Sequence, residues 1–379
     1  MTGFDVLAGS LQLHPGQAPP NISSTRSAWA RSVARGQPAA TLPDRLAAIF
    51  TLCADAHRLT SRQALAAAGA PALPGRVDAA APDLALHAGT LREQLRRIWL
   101  DWPPALAGQT ALPADLLVLR DCPLLRRGAE PRDALAAMPA WVQAHLLGEP
   151  ALPWLAAWEA DPRDSLAGWA ARRATPAARL LDHCGATAAA LAGAPVPLAV
   201  HAHTDALRSL AEAMRGDPDF VLAPLWHGAA AETGPWTRFN ESAPARLDNA
   251  WLRLGARLAE VVRLSLPDTP GRCGASWLRQ GALALGDGEG LAWCEMSRGL
   301  LVHRVQLDST ATGGPCIAEC DVLAPTEWNF HPRGAVARAL AALPAQDADD
   351  HAVRVLVATF DPCVNAHVAR SSAPGPGHA

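Results

Sequence analysis

Two stretches near opposite ends of the chain carry the same pair of metal-binding side chains: FTLCADAH, residues 50–57, and FDPCVNAH, residues 360–367. In each, a cysteine precedes a histidine by four positions, giving Cys53 with His57 and Cys363 with His367. Thiolate and imidazole are soft and borderline metal ligands. On a helix, positions i and i+4 share a face, so one such pair could address one metal ion. The competing reading is plain packing, because cysteine is among the most buried residue types. Asp361-Pro362 can cap and open a helix, which would put Cys363 in a first turn. There the free N–H groups and the helix dipole favour a thiolate.

Other ligand-bearing segments are weaker. His201-x-His203, in PLAVHAHTD, would place two imidazoles on one face of a strand end. With Asp205 it is similar to the metal-binding strand of amidohydrolases. The alternative is that Thr204 or Asp205 caps the helix DALRSLAEAM. Cys316 and Cys320 fall on an expected strand with their side chains on one face, which reads as strand packing. The sequence contains no Walker loop, no dinucleotide glycine fingerprint and no nucleophile elbow.

The elements that must position these residues follow from periodicity. SLQLH reads as a short strand, and Asn21 to Arg35 as a helix capped by Ser23, Ser24 or Thr25. Leu46 to Ala68 reads as one helical stretch carrying Cys53 and His57, ended by Pro71 and Pro74. From 86 to 265, apolar residues recur at three- and four-residue spacing, so this part is mainly helical. Its last segment, LDNAWLRLGARLAEVVRLSL, is long enough for a central bundle helix. Beyond 290 the pattern changes to strands, LLVHRVQLD and IAECDVLAP, with Gly286–Gly290 as a turn before them. PRGAVARALAAL restarts a helix with Pro332 near its beginning. HAVRVLVATF is a strand or a short helix. Residues 1–370 are expected to form a single domain, and 371–379 a disordered tail.

Composition excludes more than it assigns. The chain has 379 residues, with thirteen Trp, six Phe, no Tyr and no Lys, so every basic side chain apart from histidine is Arg. A GC-rich genome accounts for that bias. The net charge of -3 with mixed signs leaves no basic stripe for nucleic acid. No apolar run is long enough to insert in a membrane. The N-terminus lacks the features of a secretory signal, and eight cysteines over this length fit reduced thiols, so a cytoplasmic location is expected.

Taken together, the two ends resemble the large subunit of NiFe hydrogenases, with its N-terminal R-x-C-G-x-C-x3-H and its C-terminal D-P-C-x2-C-x2-H. GLAWCEMSRGLLVHRVQLD (290–308) is similar to the family's E-x-P-R-G segment and following strand. APTEWNFHPRG, within 322–340, is similar to its P-T-x-W-N-x-x-P-R stretch, and NISSTRSAWARSVARG to its early helix. The resemblance implies an α+β, mainly α fold with a central helix bundle and small β elements, in which the chain ends meet. The departures are specific. Ala48, Phe50 and Thr51 replace the arginine, first cysteine and glycine of the first motif. Ala366 replaces the second cysteine of the last motif, Ala369 stands at its final histidine, and His367 lies two residues early.

That loss of two thiolates is similar to the hydrogenase expression/formation proteins of the HupK and HoxV type, degenerate relatives of the large subunit. The resemblance implies a non-enzymatic maturation scaffold. It would carry iron as an Fe(CN)2CO unit on Cys53 and Cys363, with no nickel. His57, His367 and Asp361 would surround the ligands. The implied partners are maturation chaperones and the immature large subunit. Two alternatives are a divergent catalytic subunit and a structural zinc site made of Cys53, His57, Cys363 and His367.

Overall fold

The computed structural model describes residues 9–71, 83–310, 314–344 and 350–369. Its framework is a bundle of helices around Ala250–Ser265, in which every residue is buried. Asn249 starts this helix by accepting a hydrogen bond from Leu252 N at 2.9 Å. The sequence puts four charges on a helix with no exposed face, and each finds a partner. Arg253 meets Glu232 at 3.1 Å, Glu260 meets Arg238 at 2.7 Å, and Arg263 meets Glu159 at 3.0 Å. Arg257 donates to the backbone oxygens of Thr359 and Ser297. Removing one partner of such a pair strands a buried charge, at a cost of about 3–5 kcal/mol.

Two small sheets complete the α+β architecture. Strands β1 (Ser10–Leu13) and β2 (Ile22–Ser24) form an antiparallel pair. The strands β3 (Gln280–Gly286), β4 (Glu289–Met296), β5 (Gly299–Asp308) and β6 (Cys316–Leu323) form an antiparallel meander. Strand β7 (Asn365–Val368) runs parallel to β1, pairing Ser10 with Asn365 and Leu13 with Val368. The two ends of the described chain are therefore hydrogen-bonded to each other.

The central strands β4 and β5 are buried on both faces. Leu291, Leu300 and Val302 face the helix Thr204–Gly216. Ala292 and Val305 face Leu42, Leu46, Ala64 and Leu65. Gly290 permits the closest approach there: an added Cβ would lie 2.2 Å from the carbonyl oxygen of Ala64. This contact sets the helix carrying His57 directly on the sheet.

Several expectations change. Residues 21–35 do not form one helix: 22–24 join β1, and the helix is only Trp29–Ala34. The stretch 46–68 breaks into helices Leu42–Ile49 and Ala54–Ala67, joined by a 3-10 turn at Thr51–Cys53. The break follows Phe50, whose ring leaves the helical path to stack on His57 at 4.2 Å. HAVRVLVATF is helical, within Asp350–Phe360. Asp361-Pro362 opens no helix; it closes that one. Cys316 and Cys320 do not share a face, because a register shift lies between them and Ile317 joins Cys320 in the core. The helix expected after Pro332 begins at Ala335. The tail from 371 lies outside the described residues.

Candidate functional site

Cys53 and Cys363 arrive in one neighbourhood by different routes. Cys53 occupies the N-cap position of helix Ala54–Ala67, at the kink after Phe50. Cys363 follows the end of helix Asp350–Phe360 and precedes β7. Both pack partly buried against the same apolar core. Burial of its sulfur pushes the Cys53 thiol up to about 12, with Arg298 opposing and Cys363 and Glu93 adding to the rise. The two thiols are therefore within electrostatic reach of one another.

Arg298 is a cation whose charge acts on both. It sits in the tight turn between β4 and β5 and is 1% exposed. Its guanidinium pairs with Glu93 at 2.8 Å and Asp361 at 3.4 Å. Burial opposes its charge, but Asp361, Glu93 and the two thiols hold its pKa above the ordinary arginine value. The turn is clamped from outside: Arg238 donates to Met296 O at 2.7 Å, and Gln94 to Ser297 O at 2.9 Å. Gly299, at φ +140, is required at its far side, where a Cβ would strike Thr233. Arg298 Nη1 is buried and has no hydrogen-bond partner among the described residues.

Cys363 is held by a separate group. Thr326 Oγ1 accepts from Cys363 N at 3.1 Å and donates to its Sγ at 3.2 Å. Arg26 pairs with Glu327 at 2.6 Å and reaches the Cys363 thiol. The dipole expected to favour this thiolate points the wrong way, because Cys363 follows a helix C-terminus. Arg26 and Arg298 supply positive charge instead. Asp361 closes the helix with φ 52, an uncommon conformation that aspartate tolerates better than most residues. Its carboxylate gathers Arg97 at 3.1 Å, Arg298 at 3.4 Å and Arg257 at 3.7 Å.

The histidines go elsewhere. His57 is buried, with Nδ1 3.0 Å from Nε2 of His303 on β5. Burial lowers the pKa of both, to about 3 for His303. His367 is exposed on β7, opposite Gln12. Cys53, His57, Cys363 and His367 thus do not assemble into a four-ligand zinc site. No group of three or more His, Cys, Asp or Glu among the described residues has the placement to hold a metal. His201 pairs with Glu295 at 3.2 Å, and His203 is an exposed N-cap residue. Their pairing on a strand end does not occur, because 200–202 form a 3-10 turn.

Sequence reasoning singled out Cys53, Cys363 and Asp361 but missed Arg26, Glu93, Arg298, His303 and Thr326. Four of these lie in segments whose patterns were visible: Arg298 in MSRG, His303 in LLVHRVQLD, Thr326 in APTEW and Arg26 in SSTR. Glu93 is an ordinary-looking helical glutamate, and only the fold reveals its ion pair.

Chemically, the site offers two thiols converging beside buried guanidinium groups. Thiolates bind soft or borderline metals after losing their protons. The arginines favour that loss and would also attract anionic groups carried by a metal.

No family model matches the sequence. Curated relatives do. The hydrogenase expression/formation protein HoxV of Cupriavidus necator is 43% identical over 379 residues, covering 96% of each chain. HupK of Bradyrhizobium diazoefficiens, also a hydrogenase expression/formation protein, is 33% identical over 87% of this chain and 86% of its own. HupK of Rhizobium leguminosarum bv. viciae is 31% identical over 83% of each. Among solved structures, the reduced Ni-Fe-Se hydrogenase of D. vulgaris Hildenborough aligns with TM-score 0.47. It is 14% identical over 90% of this chain and 92% of its own. An NAD+-reducing NiFe hydrogenase aligns with TM-score 0.45 at 15% identity over the same shares. No described helix is long and apolar enough to cross a membrane. By identity and coverage, the chain belongs to the hydrogenase expression/formation proteins of the HoxV and HupK kind.

Proposed function

We propose that this chain is a non-enzymatic scaffold in hydrogenase maturation. It receives iron as an Fe(CN)2CO unit on Cys53 and Cys363 and passes it to the immature hydrogenase large subunit, with maturation chaperones as further partners, in the cytoplasm. Nickel has no place in this reading.

One observation carries it: two cysteines from opposite ends of the chain both lie within electrostatic reach of the buried Arg298, whose Nη1 lacks a partner among the described residues. An unpartnered buried guanidinium N–H is costly, and an anionic acceptor such as a cyanide nitrogen satisfies it. Two protein thiolates suffice for an iron that brings its own diatomic ligands, and fewer anchors suit a cargo that must leave. The half-buried Cys53 borders an opening lined by Leu52, Asp55, Thr90, Arg92 and Ser297, a route by which cargo could reach the sulfur.

Infrared spectroscopy on protein purified anaerobically from a host expressing the maturation genes tests the reading. Cyanide and carbonyl bands are expected, together with iron. Protein that carries iron or zinc with no such bands would refute it.

A further inference from the structure

A cleft of about 270 Å³ opens on another side of Asp361. Neither Cys53 nor Cys363 lines it. It lies between the π-helical turn Arg97–Asp101, the helices Trp102–Ala107 and Asp350–Phe360, and β7. One wall is polar: Arg97, Asp101, Trp102, Arg257, Arg354 and Asp361. The rest of the lining is largely hydrocarbon: Leu13, Val353, Val357, Val364 and Val368.

Two buried donors on the polar wall are unsatisfied. Arg257 is 1% exposed; its Nε donates to Thr359 O and its Nη1 to Ser297 O, while Nη2 has no partner among the described residues. Trp102 is likewise 1% exposed, and its indole N–H has no partner among the described residues. Leaving such a donor unmet inside a protein costs about 1–3 kcal/mol. The aspartates do not meet this need. Asp361 is shared among three arginines, and Asp101 pairs with Arg97 at 2.8 Å. Arg354, exposed at the rim, has no ion-pair partner among the described residues. Arg97 and Arg257 are paired with carboxylates, so the uncompensated charge on this lining is that of Arg354.

We propose that this cleft binds a small apolar carboxylate, its oxygens on Arg257 and Trp102 and its hydrocarbon against Val353, Val357 and β7. A bare inorganic oxyanion would leave the valine wall unused, and a neutral apolar molecule would leave the donors unmet. The same chemistry belongs to a free short-chain acid and to the C-terminus of a peptide ending in an aliphatic residue.

Calorimetric titration of the full chain tests this with hexanoate, hexanamide and inorganic phosphate. Hexanoate is expected to bind saturably in the millimolar range or tighter, and hexanamide about tenfold or more weaker for lack of charge. Val357→Trp, which fills the apolar end, should abolish the hexanoate signal. Arg354→Gln, at the exposed rim, cannot disturb the core and should weaken binding about threefold or more. A free-acid tripeptide ending in leucine that binds more tightly than hexanoate would assign the source to a peptide terminus; weaker binding would assign a free acid. The proposal fails if hexanoate shows no saturable binding, if phosphate outcompetes it, or if it binds both variants like the parent.

Discussion

Cys53 and Cys363 share one neighbourhood, but their surroundings differ. Cys53 is held by packing: it is half-buried, no side-chain hydrogen bond caps its helix, and desolvation pushes its thiol up to about 12. Cys363 is held by bonds: Thr326 grips both its N–H and its sulfur, and Arg26 stands beside it. The difference assigns unlike tasks to the two residues. A thiol that resists ionisation releases its proton only to a metal, and takes it back readily when the metal leaves. A thiol fixed by hydrogen bonds keeps its position through loading and release. In the proposed carrier, Cys363 would then be the anchor and Cys53 the gate.

The largest expected effect comes from removing either sulfur. Cys53→Ala and Cys363→Ala should each abolish retained iron and the diatomic bands while leaving far-UV circular dichroism unchanged. An undiminished iron load in either variant would remove that residue from the site. The comparison is sharpened by pH. Because metal binding displaces thiol protons, iron retention should fall as pH drops from 8 to 6, and burial of Cys53 adds to that dependence.

Next in size is Arg298, the cation both thiols share. Arg298→Lys keeps the charge but loses the planar fork that spans Glu93 and Asp361. The protein should fold, hold less iron per chain, and show shifted cyanide bands where a parent-like spectrum would deny contact with the cargo. Full truncation to Ala is a poorer test, since it removes at once the buried pairings with Glu93 and Asp361 and the volume of the side chain.

Much of this was legible in the sequence. The meeting of the chain ends was implied by the family resemblance that two motif remnants carry, and the central helix followed from the periodicity of 247–266. Other features were hidden for physical reasons. The kink at Phe50 depends on an aromatic stack with His57, a tertiary contact that overrides a good helical pattern. Asp361-Pro362 matches a helix start locally, but the preceding helix ends there and Asp361 takes a left-handed conformation to close it. His303 sits within LLVHRVQLD as an ordinary alternating strand residue, and only the helix laid over β5 gives it a partner. Arg298 lay in a segment already singled out, yet its meaning came from burial, which spacing alone does not report.

A smaller effect separates the anchor from the gate. Thr326→Val removes the hydroxyl that bonds the Cys363 sulfur and leaves the shape nearly unchanged. It also removes the acceptor of the Cys363 N–H; the bond to the sulfur alone is worth about 1 kcal/mol net, so iron should dissociate at least about fivefold faster. Thr60→Val is the control, because the Thr60 hydroxyl donates to the buried Cys294 sulfur at 3.1 Å and touches neither site cysteine. Equal iron loss in both variants would show that the Cys363 bond has no special part.

The smallest expected effect tests whether the gate depends on the histidine pair beneath it. His57 and His303 face each other in the core, and burial holds both pKa values below the ordinary 6.5. An unfolded chain takes up protons at these positions as pH falls through about 6.5, whereas the folded chain resists them until about pH 3 for His303. Stability from the neutral pair is therefore complete above pH 6.5 and declines steadily as pH falls towards 3. Replacing His303 with Gln keeps a hydrogen-bonding group opposite His57 and removes one titrating site. Its urea midpoint should fall less steeply between pH 6.5 and 5 than that of the parent. If iron retention at pH 7.5 is unchanged in the same variant, the pair supports the fold and leaves the cargo to the cysteines. If retention drops with stability held constant, Phe50 stacked on His57 transmits the pair's geometry to the Cys53 kink, and the gate extends into the core.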